Sequence, residues 1–271
     1  FTSGTTDSIN LVSHTLALSR KISAGDSVII SGLEHHSNIV PWQMLCQRTG
    51  ATLKVIPVLD DGTLDMEAYS ALLDDTVKLV AVSHVSNALG TINPIQKIIS
   101  LAKKHGALVL IDGAQAAPHL KIDVQALGCD FYVFSGHKVY GPTGIGLLYG
   151  REQILNELPP WRGGGEMIKE VTFEHTTYND LPFKFEAGTP DIEGAISLAA
   201  ALDYMNALGM ENIAAHELKL QQRATAGLSE IKGMKLYGTA TEKAAVVSFL
   251  IEGIHHYDLG TLLDQMGVAV R

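Results

Sequence analysis

Short apolar runs alternate with amphipathic stretches along much of the chain. Five of these runs are rich in Val, Ile, Leu and aromatic residues and predict buried strands at 27–31, 53–58, 78–83, 107–112 and 131–134. Between the runs, apolar residues recur at helical spacing, as in 65–74 and 94–105. Strands that alternate with helices are typical of a mostly parallel sheet with helices on both faces. The pattern therefore predicts an α/β fold.

The pattern changes after the residues near 158. Periodicity is weak from Pro159 to Pro190, and a loop of this length is usually functional. The rest of the chain predicts helices at 192–208, 211–231 and 257–266 and strands at 245–251 and 268–270. We therefore expect a large domain at 1–191 and part of a small α+β domain at 192–271. Because predicted elements reach both ends, we also expect the sequence to be an internal portion of a longer chain.

Composition excludes several classes of function. The 271 residues are 46% hydrophobic and 18% charged, which suits a globular protein with a sizeable core. The net charge of -9, with scattered Lys and Arg, argues against a nucleic-acid surface. No apolar stretch is long enough to span a bilayer, so we expect no membrane association and a cytoplasmic location. The two cysteines, Cys46 and Cys129, predict reduced, buried thiols rather than a disulfide framework or a metal site.

Three polar side chains follow predicted strands at the point where each strand ends. They are Asn87, Asp112 and Lys138, and the carboxyl ends of parallel strands meet at one edge of a sheet, where ligands bind. A lysine held against apolar walls loses ammonium stability, so its amine can form an imine with a carbonyl cofactor. A buried Asp112 would require a cationic partner such as a pyridinium nitrogen. The alternative for Lys138 alone is a surface lysine before a Gly-Pro turn.

Each of the other notable motifs has both a functional and a purely structural interpretation. Gly4-Thr5-Thr6 opens a predicted helix, whose N-terminus is either an anion site or an ordinary threonine cap. The pair His35-His36 is a poor metal signature, although a flat imidazole can lie on a pyridine ring. We interpret His84 as a core histidine and give the pair His255-His256 no role. The run 141–146 lacks the glycine order of a dinucleotide site, so a NAD-dependent protein is disfavoured.

Four motifs together resemble one known family. They are EHHSNIVPWQ from Glu34, IDGAQ from Ile111, FSGHKVYGPTGIGLLY from Phe134 and FEAGTP from Phe185. In this order they resemble the class II (SUF-type) cysteine desulfurases and selenocysteine lyases, which are fold-type I enzymes that use pyridoxal phosphate (PLP). The resemblance implies a mostly parallel seven-stranded sheet covered by helices, plus the small domain.

The resemblance also implies a role for each candidate residue. Lys138 would bind PLP as a Schiff base and then act as a base, Asp112 would contact the pyridinium nitrogen and Gln115 the phenolic oxygen. His35 would stack on the ring and, with Lys138, act as a catalytic residue that handles protons, and His36 is the residue most easily confused with it. The phosphate would be bound by Thr5, Thr6, Ser135, His137 and, from the other subunit of a homodimer, Thr189. Asn87 would bind both the cofactor and the substrate. Arg271 would bind the substrate carboxylate or serve the loop that carries the sulfur-accepting cysteine.

The implied reaction converts L-cysteine to L-alanine and passes the sulfur, as an enzyme persulfide, to a SUF acceptor protein for iron-sulfur cluster assembly. The sulfur-accepting cysteine is then neither Cys46 nor Cys129, and we expect it shortly after Arg271. Other enzymes of the same fold remain open at this point, namely a lyase for L-selenocysteine, an epimerase or an aminotransferase. An inactive scaffold of the same fold is disfavoured because the cofactor residues are all present.

Overall fold

The computed structural model describes residues 1–271, which form nine helices and ten strands. The helices are α1 Thr5–Leu18, α2 Val40–Thr49, α3 Met66–Leu72, α4 Ile95–Lys104, α5 Val124–Leu127, α6 Glu152–Glu157, α7 Ile192–Leu208, α8 Met210–Ser229 and α9 His256–Gln265. The strands are β1 Ser27–Ser31, β2 Thr52–Ile56, β3 Val77–Ser83, β4 Leu108–Asp112, β5 Phe131–Ser135, β6 Gly146–Gly150, β7 Ile168–Val171, β8 Thr176–Tyr178, β9 Met234–Tyr237 and β10 Ser248–Ile251. Single 3-10 turns lie at His36–Asn38, Gly136–Lys138 and Phe183–Phe185.

The main sheet has six strands in the order β2-β1-β3-β4-β5-β6. All neighbours pair in parallel except β6, which runs antiparallel to β5. The prediction of a mostly parallel α/β sheet is therefore confirmed, but the expected count of seven strands is wrong. Beyond β6 the sheet continues only as an isolated bridge between Thr2 and Gly146, because the chain turns into α1 at Thr5.

Both faces of the sheet are covered by helices, which explains the continuous apolar strands. On one face Ile9 and Leu16 of α1 and Trp42 of α2 form a cluster with no exposed surface. On the other face Tyr69 of α3 and Ile98 of α4 are equally buried. Burial of one such large apolar side chain contributes roughly 1.5–3 kcal/mol, so these two layers fix the sheet.

The second part of the chain differs most from the predicted elements. The strand predicted at 245–251 begins only at Ser248, because the backbone before it turns to bond the carbonyl of Gly90. Its partner β9 was not predicted, and the two form a separate antiparallel pair. The strand predicted at 268–270 is wrong, since the N–H of Val268 donates to Leu263 O at 2.9 Å and closes the end of α9.

The segment of weak periodicity contains a small antiparallel pair, β7 and β8, rather than loop alone. After it, α7 packs through Leu198 and Met205 against Val139 and Ile145, next to the turn that carries Lys138. No helix is both long and apolar enough to cross a membrane. The division into domains at 1–191 and 192–271 stays a prediction.

Candidate active site

A cavity of about 1120 Å³ opens at the carboxyl ends of β1, β3, β4 and β5. Ten of the eleven residues that the sequence nominated line it, namely Thr5, Thr6, His35, Asn87, Asp112, Gln115, Ser135, His137, Lys138 and Arg271. Thr189 is exposed and lies outside the cavity wall. The predicted convergence of Asn87, Asp112 and Lys138 at one sheet edge is confirmed.

Lys138 ends the 3-10 turn that follows β5 directly. The turn is tight at Gly136, where an added Cβ would lie 2.7 Å from the Ile145 side chain. The Lys138 side chain is half-buried, and burial lowers the pKa of its ammonium, with Arg271 adding to the shift and Asp112 opposing it. A neutral amine therefore becomes more accessible near neutral pH, which suits a nucleophile or a proton acceptor.

Asp112 is the last residue of β4 and is buried. Its Oδ1 accepts the N–H of Ala114 at 2.9 Å. Burial raises the pKa of this carboxyl, while the Ala114 N–H and Lys138 oppose the rise. The next residue must be glycine, because the Tyr132 ring lies 2.1 Å from where a Cβ of Gly113 would be. A cation bound beside Asp112 would restore its charge.

The N-terminus of α1 faces the cavity without a cap from its own side chains. Gly4 precedes it, and the N–H of Thr5 donates to Ser135 Oγ at 2.8 Å. The N–H groups of Thr6 and Asp7 have no protein acceptor. The alternative of an ordinary threonine cap is therefore wrong, and the exposed amides of a 14-residue helix suit an anion.

The structure distinguishes the two adjacent histidines, because His35 lines the cavity and His36 does not. The Nδ1 atom of His35 accepts the N–H of Ser37 at 3.2 Å and lies 2.8 Å from Ser37 Oγ. A backbone amide can only donate, so the neutral ring carries its proton on Nε2. Burial, together with the charges of Lys138, His36 and Arg271, lowers the pKa of His35. The neutral form of the ring is therefore favoured.

The wall opposite the sheet comes from the end of the chain. Residues 246–250, Leu259, Leu263 and 269–271 line it, and so does His256, to which the sequence gave no role. The hydroxyl of Ser248 donates to the carbonyl of Ala88 and ties this wall to the loop that carries Asn87. Nothing in the local sequence pattern signals such a contact between distant segments.

Two further residues near the cavity were missed. Ser83 lines it at the end of β3, and Glu34 is buried just behind His35. Burial raises the pKa of Glu34 to about 7, although hydrogen bonds from Ser31, Asn38 and Ser83 oppose the rise. The available signal was a lone carboxylate placed between a strand end and two histidines.

The remaining polar groups of interest lie away from the cavity. His84 is buried and its Nδ1 lies 3.1 Å from the Tyr132 hydroxyl, which confirms it as a core histidine. Cys46 and Cys129 are free, buried thiols, as the composition predicted. Burial raises the pKa of Cys46, and burial followed by the charge of Asp130 raises that of Cys129 to about 11.

Comparison with known proteins identifies the family. The model of the family described as Aminotransferase class-V matches residues 1–271, the whole chain. The chain belongs to the class-V aminotransferase family. The fold agrees with that of fold-type I structures in this family. The cysteine desulfurase CsdA from Escherichia coli superposes with a TM-score of 0.95 at 38% identity, over 100% of this chain and 67% of that one.

Curated members of the class-V family are also similar in sequence. A protein named probable cysteine desulfurase from Xylella fastidiosa is 54% identical over 99% of this chain and 64% of its own length. A cysteine desulfurase from Salmonella agona is 53% identical over 100% of this chain and 66% of its own length. The chain thus spans a little under two thirds of these relatives. A more distant structure with a TM-score of 0.89 and 26% identity, a lysine-to-alanine mutant of C-DES, carries glycine covalently linked to PLP.

Proposed function

We propose that the protein is a PLP-dependent cysteine desulfurase, which removes the sulfur of L-cysteine and yields L-alanine. The observation that carries the proposal is the single cavity in which Lys138, Asp112, His35 and the open N-terminus of α1 meet. Four separate elements supply these groups. Relatives at 53% and 54% identity that bear the name cysteine desulfurase support the assignment.

The donor set of the cavity fits PLP at both ends of that molecule. The free N–H groups of Thr6 and Asp7, with the Ser135 hydroxyl and His137 beside them, would hold a phosphate dianion at the positive end of α1. At the other end, the buried carboxyl of Asp112 would accept a hydrogen bond from a protonated ring nitrogen. Gln115 is half-buried on the same wall and would contact the phenolic oxygen.

Between these ends, Lys138 would hold the aldehyde carbon and His35 would cover one face of the ring. When bound, PLP supplies an electron sink for the electrons left at the substrate Cα after proton loss. The charged Asp112 keeps that sink effective because it favours the protonated ring nitrogen. Once the amine of the substrate has displaced it from the aldehyde carbon, Lys138 would be a free amine and would take the Cα proton on Nζ, and its lowered pKa makes the required neutral form available.

Substrate binding is assigned to the wall that closes the cavity. Arg271 and Asn87 both line it and would bind the carboxylate of L-cysteine, one as a cation and one as a neutral donor. Arg271 is close enough to His35 and Lys138 for its charge to lower both pKa values. The same residues would accept L-selenocysteine, and no contact favours one amino acid over the other.

We extend the proposal to a homodimer in which Thr189 serves the phosphate site of the partner. In support, several large apolar side chains between residues 171 and 196 are exposed in the single chain, namely Val171, Phe173, Phe183, Ile192 and Ile196. A second copy of the chain would cover them. Transfer of the sulfur to a SUF acceptor protein and a cytoplasmic location stay predictions.

The direct test is release of alanine from L-cysteine by the purified full-length protein, which includes the expected cysteine after Arg271, with PLP and a reductant present. Lys138→Ala should abolish it, whereas Lys121→Ala, which removes an exposed lysine, should not. Alanine release that persists in Lys138→Ala, or a folded full-length wild-type protein that takes up PLP and releases none, would contradict the function.

A further inference from the structure

A buried glutamate outside the proposed mechanism joins three parts of the active-site wall. Glu34 follows β1 and is 8% exposed. Its Oε1 accepts the backbone N–H of Ser83, at the end of β3, at 3.0 Å, and also accepts the Ser31 hydroxyl at the end of β1. Its Oε2 accepts Asn38 Nδ2 at 2.6 Å. One carboxyl group therefore links two strand ends to the turn at His36–Asn38.

The orientation of Asn38 is fixed by its second partner. Its Oδ1 accepts Trp42 Nε1 at 2.8 Å, and both residues have no exposed surface. An indole N–H can only donate, so the oxygen of the amide must face Trp42 and the NH2 group must face Glu34. Position 34 consequently needs an acceptor on that side. Aspartate at position 34 would be one methylene shorter and would not span the three donors.

The turn held in this way is the one that carries His35. The carbonyl of His35 accepts the N–H of Asn38 at 2.7 Å, and Ser37 within the turn bonds the His35 ring. Glu34 precedes His35 in the chain, and its side chain reaches across to the far end of the turn. We propose that Glu34 is a positioning residue that holds the His35 imidazole against the cofactor cavity.

A purely structural role would not require a carboxylate at this position. A buried carboxyl carries a large desolvation cost, which its hydrogen bonds oppose without removing. The charge of Asp112 adds to that cost. A residue that only filled this space could be a smaller neutral group, whereas clamping the His35 turn uses all three hydrogen bonds at once.

A reciprocal exchange of amide and carboxylate tests the proposal. Glu34→Gln keeps an acceptor for Ser83 but turns a donor toward the Asn38 amide, so two donors face each other. Asn38→Asp in the same chain restores the pair, because a carboxylate at position 38 can accept both the new amide and the Trp42 N–H. Tyr69→Phe is the matched control, since it removes a buried hydrogen bond of 3.0 Å to Ile98 O far from the cavity.

Three readouts are compared in the whole protein: histidine 15N spectra assigned with His35→Asn, the melting temperature, and kcat and KM for L-cysteine with PLP. Glu34→Gln should broaden or split the His35 ring signals and lower kcat about 10-fold or more, with KM little changed, because small misplacements of a site group are costly. The double variant should regain both the spectrum and kcat. Tyr69→Phe should lower the melting temperature and leave His35 unchanged.

The proposal is overturned if Glu34→Gln leaves the His35 signals unchanged, or if the double variant recovers no more than the single one. The role of His35 beside the cofactor rests on the proposed function. The 15N spectra, however, can be recorded whether or not the protein turns over L-cysteine. A full-length wild-type protein with no alanine release would therefore contradict the function alone, and unchanged His35 spectra would contradict the positioning role alone.

Discussion

The hydroxyl of Ser135 at the end of β5 accepts the backbone N–H of Thr5, although the two residues are 130 positions apart in the chain. The same oxygen lies 2.9 Å from Thr5 Oγ1. The first turn of α1 is thus capped by a strand rather than by its own flanking residue. The arrangement aims the next two N–H groups, those of Thr6 and Asp7, at the cavity.

Ser135→Ala should weaken PLP binding about 10- to 100-fold, the effect of losing one hydrogen bond to a charged group and loosening the helix start. Ser13→Ala is the matched control, because Ser13 is also buried, lies on the same helix and bonds Pro41 O at 2.9 Å. Both variants should lose about 1 kcal/mol of stability. Fluorescence titration with PLP and thermal unfolding measure the two effects. Equal PLP affinities in the two variants would remove Ser135 from the phosphate site.

Lys138 should be the lysine that holds PLP. Reduction of the PLP-loaded protein with borohydride, followed by peptide mapping, should place the pyridoxyl group on Lys138. Lys138 alone among the lysines lines the cavity, so no other amine is placed to compete. A pyridoxyl group on Lys121 or Lys104 would show that the assignment is wrong.

Asp112→Asn should have opposite effects on stability and on turnover. Burial raises the folded-state pKa of Asp112 above its ordinary value of 3.8, so the folded protein binds this proton more tightly than the unfolded chain. Stability is then lost as the pH rises from 3.8 through the folded pKa, because the charged form is disfavoured only in the fold. Asparagine does not ionise, so the variant does not lose stability as the pH rises. Its side-chain oxygen can still accept the hydrogen bond from the Ala114 N–H. PLP-free Asp112→Asn should therefore be more stable than wild type at neutral pH and gain nothing in acid, while its turnover with PLP falls by orders of magnitude.

Urea unfolding across a pH series measures this effect, and Asp74→Asn gives a control of the opposite sign. The hydrogen bond from Lys54 at 2.7 Å, with that from Thr76, lowers the pKa of Asp74. The charged Asp74 side chain therefore stabilises the fold at neutral pH, and this stabilisation is lost as the pH falls. Asp74→Asn should accordingly lose stability at neutral pH. Near-normal turnover in Asp112→Asn would exclude a role for its charge.

Neither Cys46 nor Cys129 should accept sulfur from the substrate. Both are buried away from the cavity, and their pKa values are raised, so at pH 7 a thiolate is rare at either position. In the full-length protein, Cys46→Ser and Cys129→Ser should each keep alanine release while losing some stability, because a hydroxyl replaces a buried thiol. Alanine assays and PLP absorbance follow the two properties. Loss of alanine release with PLP still bound and the fold intact would make that cysteine the acceptor.

Thr189 should act on the cofactor of the partner subunit. Lys138→Ala and a phosphate-defective Thr189 variant, each inactive alone, should regain activity when their subunits exchange, because one site of each hybrid dimer is intact. The control mixes Lys138→Ala with Thr177→Val, which changes a threonine of the β7–β8 hairpin instead of Thr189. If exchange is demonstrated and activity stays absent, the role in trans is wrong.

The sequence predicted the residues at the sheet edge that line the cavity, and it missed those of the wall opposite the sheet. Asp112 and Lys138 were found because strand ends can be read from apolar runs, and parallel strands bring those ends together. Glu34 also follows a strand end, but its role depends on donors from three elements, which no local pattern predicts. The contribution of His256 and of residues 246–250 depends on how the end of the chain packs, which no local periodicity encodes. The seventh strand came from the resemblance and was wrong for this chain, which leaves the sheet edge at Thr2 after one bridge.

The bond between Ser248 and Ala88 spans 160 positions and has a consequence for how the protein is made. During synthesis the residues of the sheet edge leave the ribosome well before those of the facing wall. Contacts between segments so far apart form slowly, because the intervening chain must first be ordered. We therefore expect the sheet edge that bears Asp112 and Lys138 to fold first as an open surface, and the cavity to close only when residues 237–271 dock on it. PLP would then contact the sheet edge before the facing wall is in place. PLP added during translation should therefore speed the docking of residues 237–271.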